Sequence, residues 1–587
     1  MHDAARPLGT LPSTILLFAH LPSNPSEMAN NLPEELWLEI AHRTMGYEAL
    51  NSLSRCSSRL SRIARPILYR HVILSDEDRP YASSLVKNPL PAAIKLLRAD
   101  SALASAVRRL DYLSAGQSSC PKSPHLVDAQ MIKSLTHLER ISFYGGVFVG
   151  VSTVTQKRVL EAIGGLKHLK TLKVDAVHFD LGLRNIPEGW ARNLESICIL
   201  GGDAAASLWT TLAPTSLSTL TTLDLGFDSD EPSFACIHLF QLHLPRLRSL
   251  SLAIWAFFGH YKSLFDFLLL HSPTLEELGL EYDPIDDMAS EFYDNLEPDS
   301  LDLAVERFTA HREEMLNRLH TFRGSTSCVE IMVRANLACL STTLSTLSFG
   351  AGGSIGAAQE KFSSLLDALE SISTEKQQSL TQVRRVFIDM TAWSLDSPHV
   401  LKSILHRFAP LLPALEEWCG GLPAYSHDTL WLSHTHIDRI FSKFSPTMRT
   451  VCLPMFERQA CRGDNPDCTP DECACNKRPS VFSGDVIALK MSKGGMERLE
   501  RVYVHDIVLK VVKGWEISRK MLTDVPSGGV APMIRLRELG EEELPDEVGV
   551  RPVGMRKVWD EETFRAERGD EEGEGEGEGE GSEGDDW

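Results

Sequence analysis

Three clusters in this sequence have residue types and spacings that could do chemistry. GGSIG, residues 352–356, satisfies G-x-S-x-G and lies between a strand-like LSTLSF and a helical pattern, the setting of a nucleophile elbow with Ser354 exposed. A short glycine turn after a strand accounts for the same residues. No glycine-rich oxyanion loop precedes it, and no acid and histidine stand out downstream. The second cluster, CRGDNPDCTPDECAC, places Cys461, Cys468, Cys473 and Cys475 beside Asp464, Asp467, Asp471 and Glu472. Four thiolates suit a tetrahedral zinc ion, but the paired C-x2-C knuckles are missing and the carboxylates disfavour thiolate. A plain loop, a zinc clip and a redox-labile disulfide are the three readings of it, the last disfavoured in a reducing cell. Third, His427, His434 and His436 surround WLSHTHIDRI; on a strand His434 and His436 would share a face, whereas at a helix entry they would be solvated. No Gly-rich phosphate loop occurs. The expectation is a chain with no catalytic residue, no cofactor and no resident metal, the four cysteines being the metal candidates.

Composition narrows the class of partner. The formal charge is −21, which argues against a nucleic-acid surface because phosphate contact needs clustered Lys and Arg. Residues 570–587, DEEGEGEGEGEGSEGDDW, hold ten acidic side chains and no basic one. Such a run cannot bury apolar surface, and we expect 536–587 to be a disordered acidic tail, as 1–29 is a disordered leader. Its minority reading is an interaction arm for a basic partner. No stretch of eighteen apolar residues occurs, so no membrane partner is expected. Twelve cysteines, mostly scattered singly, suit reduced thiols in cytoplasm or nucleus.

The elements begin at NLPEELWLEI. Asn30 or Asn31 can cap a helix whose first turn carries Glu34 and Glu35 at the positive end of the dipole. Leu32, Leu36 and Ile40 recur every four residues, with Trp37 beside them. Gly46 breaks the pattern. Leu50, Leu53, Cys56, Leu60 and Ile63 then predict one further helix, ended by Pro66, before an extended ILYRHVIL. Three short helices make too small a core to stand comfortably alone, so this unit needs a neighbour or partner.

The order Leu32-Pro33-x-x-Leu36-x-x-x-Ile40, then Leu50, Leu53, Cys56, Ser57, Leu60, Ile63, Pro66 and Leu68-Tyr69-Arg70, resembles the F-box of fungal F-box proteins. Leu60 departs from it, where many F-boxes carry an aromatic residue. The resemblance covers residues 30–74. It implies docking on the Skp adaptor of a cullin–RING ubiquitin ligase, through positions matching Leu32, Pro33, Leu36, Trp37, Ile40, Leu53 and Cys56. Which of these face inward the sequence leaves open.

A second pattern runs through the rest: an aliphatic residue, two mostly polar ones, an apolar, a variable, an apolar. It occurs as VRRLDY from Val107, LERISF from Leu138, LKTLKV from Leu169, LESICI from Leu194, LTTLDL from Leu220, LRSLSL from Leu247, LEELGL from Leu275 and LSTLSF from Leu344. Weaker copies are VRRVFI from Val383, LEEWCG from Leu415, MRTVCL from Met448 and LERVYV from Leu499. Each predicts a turn running into a short strand, with helix-like stretches such as KRVLEAIGGLKHL between copies. A unit of this kind cannot bury its own apolar face, so neighbours stack. The arrangement is that of leucine-rich repeats and resembles the irregular repeats of F-box proteins, without a consistent Asn or Cys ladder.

The fold expected is therefore α/β: a small N-terminal helical F-box, a linker or helical cap over 75–105, and a solenoid over 106–535 with parallel strands on its concave face. Inserts are expected near 282–330 and 455–482, the 69-residue interval between Leu275 and Leu344 either hiding a repeat or carrying an insertion. The function expected is that of a substrate receptor of an Skp–cullin–F-box ligase, the alternative being a repeat scaffold with no ubiquitin role. Lys173, Asp224, Ser251 and Glu281 are candidates for reading the target protein.

Overall fold

The structure, a computed structural model, describes residues 32–44, 47–75, 90–113, 127–144, 152–175, 189–200, 212–226, 238–253, 261–281, 298–350, 362–371, 380–389, 407–408, 411–420, 447–455, 498–506, 511–522 and 531–539. GGSIG with Ser354, the cluster Cys461, Cys468, Cys473 and Cys475, the three histidines His427, His434 and His436, and residues 1–29 and 540–587 lie outside them. The chain divides into two compact units, 1–173 with 190–193 and 174–189 with 194–587.

The first unit opens with helices α1 (Glu34–Thr44), α2 (Tyr47–Cys56) and α3 (Ser58–Leu68). The stripe expected on one helix is split over two. Ser57 adopts an extended conformation and its hydroxyl accepts the Leu60 N–H, so a cap interrupts the run that apolar spacing alone would continue. Nor does Pro66 end the helix. It lies inside the last turn of α3, where Tyr69 N–H still reaches the Arg65 carbonyl and the missing proline donor costs one bond at most. Trp37, Ala41, Leu50, Leu53, Ile63 and Ala64 form the core, with Leu32, Leu60, Ile67 and Leu68 packed against it.

Of ILYRHVIL, expected to be extended, Ile67 and Leu68 instead finish α3, and only the stretch from His71 supplies β1 (His71–Ser75). Then come α4 (Leu90–Ala99), α5 (Ser101–Ala106), β2 (Arg109–Leu113), α6 (Ala129–Ser134), β3 (Arg140–Tyr144) and α7 (Thr153–Gly164). β4 (Thr171–Asp175) lies across the division in the chain. β1, β2 and β3 pair in parallel and in chain order.

The second unit carries β5 (Ser196–Leu200), α8 (Pro214–Thr219), β6 (Thr222–Gly226), β7 (Ser249–Ala253), α9 (Tyr261–His271), β8 (Glu277–Glu281), α10 (Pro298–Ala310), β9 (Thr321–Ser325), α11 (Thr326–Arg334), α12 (Cys339–Thr342) and β10 (Thr346–Gly350). β11 (Arg385–Asp389), β12 (Glu417–Gly420), β13 (Thr450–Met455), β14 (Arg501–Asp506), β15 (Val511–Leu522) and β16 (Ala531–Glu538) complete it. β5 to β14 are parallel in chain order, while β15 and β16 form an antiparallel hairpin on β14.

Each of the twelve sequence copies starts a strand two residues after its leading apolar residue. The leading residues Leu194, Leu220, Leu247, Leu275 and Leu344 are fully buried, as are the second and fourth strand residues such as Leu223 and Leu225. That buried face is the helix side. Phe349 of β10 meets Phe362 of the helix over 362–371 at 5.4 Å between ring centroids, and Phe408 at 5.7 Å. Copies are stitched by a repeated device in which one carbonyl accepts two N–H groups of the next copy. Thr221 O takes Arg248 N and Ser249 N at 2.8 and 3.0 Å, and Arg248 O takes Glu276 N and Glu277 N at 2.7 and 2.9 Å.

Three expectations change. The region near 282–330, expected as an insert or a hidden repeat, contains a thirteenth copy, LHTFRG from Leu319, whose strand β9 pairs in parallel with β8 and β10. Glycine stands at its last apolar position because the Phe322 ring fills that space: a Cβ on Gly324 would come 2.9 Å from Phe322 Cζ. The parallel arrangement stops at β14, short of 535. The sheet also starts earlier than 106, since β1 lies within the 30–74 segment and pairs with β2.

Candidate functional site

The seven residues of the N-terminal candidate surface separate on α1 to α3. Trp37 and Leu53 are buried in the bundle's core and cannot meet a partner as it stands. Leu32 and Ile40 are half-buried. Pro33, Leu36 and Cys56 are exposed, with Leu36 at 49 % and the neighbouring Leu38 at 37 %. Pro33, Leu36 and Ile40 recur at spacings of three and four along one helical face, while Trp37 and Ala41 occupy the buried one. What this arrangement offers is apolar contact. Its one thiol, Cys56, is the only chemically reactive side chain of the seven.

A second candidate is the face of β1 to β4 that carries the first, third and fifth residues of each strand. Asp111, buried, holds its Oδ2 against His71 Nε2 at 2.8 Å and Arg109 Nη2 at 2.7 Å. Burial would raise this carboxyl, but hydrogen bonds from His71, Arg109 and Ser142, with the Arg109 charge, hold it down at about 2. It is therefore ionised at every physiological pH and neutralises Arg109. On the next strand Arg140, in register with Arg109, donates from Nε to the Ser142 hydroxyl at 3.4 Å. Lys173 places its ammonium 5.1 Å from the centroid of the Tyr144 ring, a cation–π contact.

The corresponding face of the second unit changes character along the array. In β5 to β7 the third strand residues are Cys198, Asp224 and Ser251, all half-buried, with Cys198 Sγ donating to Asp224 Oδ2 at 3.1 Å. In β11 to β14 the same position holds Phe387, Cys419, Cys452 and Tyr503, which form a buried apolar cluster joined by Leu539. Of the proposed target-reading residues, Lys173, Asp224 and Ser251 lie at this third position and Glu281 at the end of β8.

Buried polar residues elsewhere serve the fold. His271 donates from Nδ1 to Phe267 O at 2.8 Å and accepts Leu244 N–H on Nε2 at 2.9 Å, which fixes a neutral ring; burial pushes its pKa down. Ser272 Oγ donates to Leu268 O and accepts Leu316 N–H. The apolar pattern gave no sign of either role, because both residues satisfy backbone of a neighbouring copy distant in sequence. Among the described residues, no three His, Cys, Asp or Glu groups gather as a metal site would require, and no helix is long and apolar enough to cross a membrane. Compared with known proteins, the chain matches no family model and no curated protein.

Proposed function

We propose that this chain is the substrate-recognition subunit of an Skp–cullin–F-box ubiquitin ligase. The N-terminal bundle would dock on the Skp adaptor, and the strand array, read as an irregular leucine-rich-repeat solenoid, would hold a target protein. Ubiquitin transfer falls to other subunits, so this chain supplies proximity and needs no catalytic residue.

One observation carries the reading: Pro33 and Leu36 are exposed on the face of α1 that continues to half-buried Ile40, while Trp37 on another face anchors the core. A helix that buries one face in its own small bundle and leaves apolar side chains of another in solvent has the form of a groove-binding or adaptor-binding element. The adaptor-facing set is then Pro33, Leu36, Ile40 and Cys56, with Leu32 at its edge; Trp37 and Leu53 act by holding α1 in place.

Pull-down with a purified Skp adaptor tests it. Leu36→Asp with Ile40→Asp is expected to abolish capture while circular dichroism stays as in the unaltered chain. Undiminished capture, or no capture by the unaltered chain, favours the alternative of a repeat scaffold with no ubiquitin role.

A further inference from the structure

We infer that the chain covers its own sheet edge: the Glu-Gly run over 572–580 adds to β16 as a further antiparallel strand, its carboxylates meeting Arg535 and Arg537. The edge and the run both belong to the second unit, and the pairing does not depend on the receptor reading above.

β16 is the last strand of the sheet, so its outer edge meets no strand among the described residues. The Leu539 N–H donates to Gly514 O at 2.8 Å, which fixes the ladder between β15 and β16. By the alternation of an antiparallel ladder, Arg535, Arg537 and Leu539 spend their backbone groups on β15, while those of Ile534, Leu536 and Glu538 point away from it. An edge of this kind takes up an extended chain readily. One face of it is basic. Arg535 and Arg537 are exposed two residues apart, and the register sets Glu516 beside both Arg537 and Arg501. Glu516 Oε2 accepts from Arg537 at 2.8 and 2.9 Å, while Arg535, opposite Ser518, pairs with no carboxylate among the described residues. On this face of β14 to β16, Arg501, Arg535 and Arg537 share Glu516 alone.

The tail supplies the complement. Glu572, Glu574, Glu576, Glu578 and Glu580 alternate with glycine, so an extended conformation puts all five carboxylates on one face. Arg535 and Arg537 repeat at the same period. Antiparallel pairing outside β16 makes these arginines the non-hydrogen-bonded positions, where opposite side chains come closest, and sets glycines against Ile534 and Leu536. Glycine leaves those two half-buried side chains unobstructed. Slipping by two residues restores the same contacts, so several registers are equivalent. The acidic residues nearer β16 lack this pattern, since Glu541, Glu542 and Glu543 are consecutive and Pro545 follows. Length permits the return. The 32 residues 540–571 would span roughly 30 Å as a coil, about the length of an eight-residue strand. Exposed charge pairs are individually weak and glycine is costly to order. Tethering, which keeps the run at about millimolar effective concentration, is what tips the balance.

Amide hydrogen exchange on the full chain, resolved to single residues over 531–539, tests it. The Ile534, Leu536 and Glu538 amides are expected to exchange at least about threefold more slowly than in a chain ending at Gly569, which keeps Glu541 to Glu543. Gly575→Pro with Gly577→Pro leaves every charge in place but removes two backbone donors, and should abolish the difference. Arg535→Gln, at a position with no carboxylate partner to lose, should reduce it at least about twofold, as should about 0.5 M NaCl. Because the two prolines lie outside the strand array, their result stands even if Arg535→Gln disturbs β16. Equal exchange in the full and shortened chains overturns the proposal. So does slow exchange kept by the proline variant, since charge attraction without strand pairing would then explain it. Slowing that grows with chain concentration places the run on a second copy and overturns the intramolecular assignment.

Discussion

The helical bundle of α1 to α3 and the strand array of the second unit bury apolar surface in opposite ways. In the bundle, six buried residues from three short helices make the core, and Trp37 is the largest of them. In the array the same contact recurs copy after copy, with Leu194, Leu220, Leu247 and Leu275 stacked at equivalent positions and β6 to β14 each braced by a carbonyl that takes two donors. One large side chain concentrates stability at a point; a repeated small one spreads it along a line. The bundle can thus spare the outer face of α1 for a partner only while Trp37 holds the inner one.

Breaking each core at its centre should show the difference most strongly. Trp37→Ala is expected to cost about 3–5 kcal/mol and to melt the bundle as a whole. Hydrogen exchange would then lose protection over 34–68 together, with 196–281 unchanged. Leu250→Ala should cost about 2–5 kcal/mol, with the loss of protection strongest in β6 to β8 and fading along the strands beyond. Protection lost evenly across both regions after either substitution would refute the distinction.

Smaller perturbations sharpen it through pH. Asp111, held at about 2, contributes stability that is present above the ordinary carboxylate range and is lost as pH falls toward 2. Asp111→Asn should remove about 1–3 kcal/mol near neutrality and flatten the acid limb of stability against pH, because two donors lose their charged acceptor. His271 has a lowered pKa and is neutral when folded, so the unfolded chain binds more protons below about 6.5 and stability declines as acid passes that point. His271→Gln should be less stable throughout, with a smaller drop in Tm between about pH 7.5 and 5.5 than the unaltered chain. An unchanged drop would mean that His271 does not set this dependence.

Much of the array was legible in the residues. The spacing of LTTLDL and its companions specifies a buried column and alternating strand faces, and all twelve copies became strands. LHTFRG escaped because Gly324 breaks the apolar pattern where Phe322 occupies the space from the same strand, a three-dimensional compensation that no linear pattern records. The bundle was legible as apolar spacing but not as element boundaries. Ser57 interrupts a stripe that runs on through Leu60, and Pro66 is tolerated in a terminal turn, since caps and end effects override periodicity locally. Of the candidate surface, the residue types were readable and their directions were not.

By itself the sequence determined the recurrence of strand and helix, the acidic excess and the apolar residues of α1, because these follow from composition and period. The tertiary structure alone decided that Trp37 turns inward while Leu36 turns outward, that Asp111 is taken up by Arg109 and His71, and that Phe387 and Tyr503 are buried where Asp224 and Ser251 stay half-open. Most depend on neighbours far away in the chain, as His71 is from Asp111, and burial and ion pairing are set by which groups meet in space.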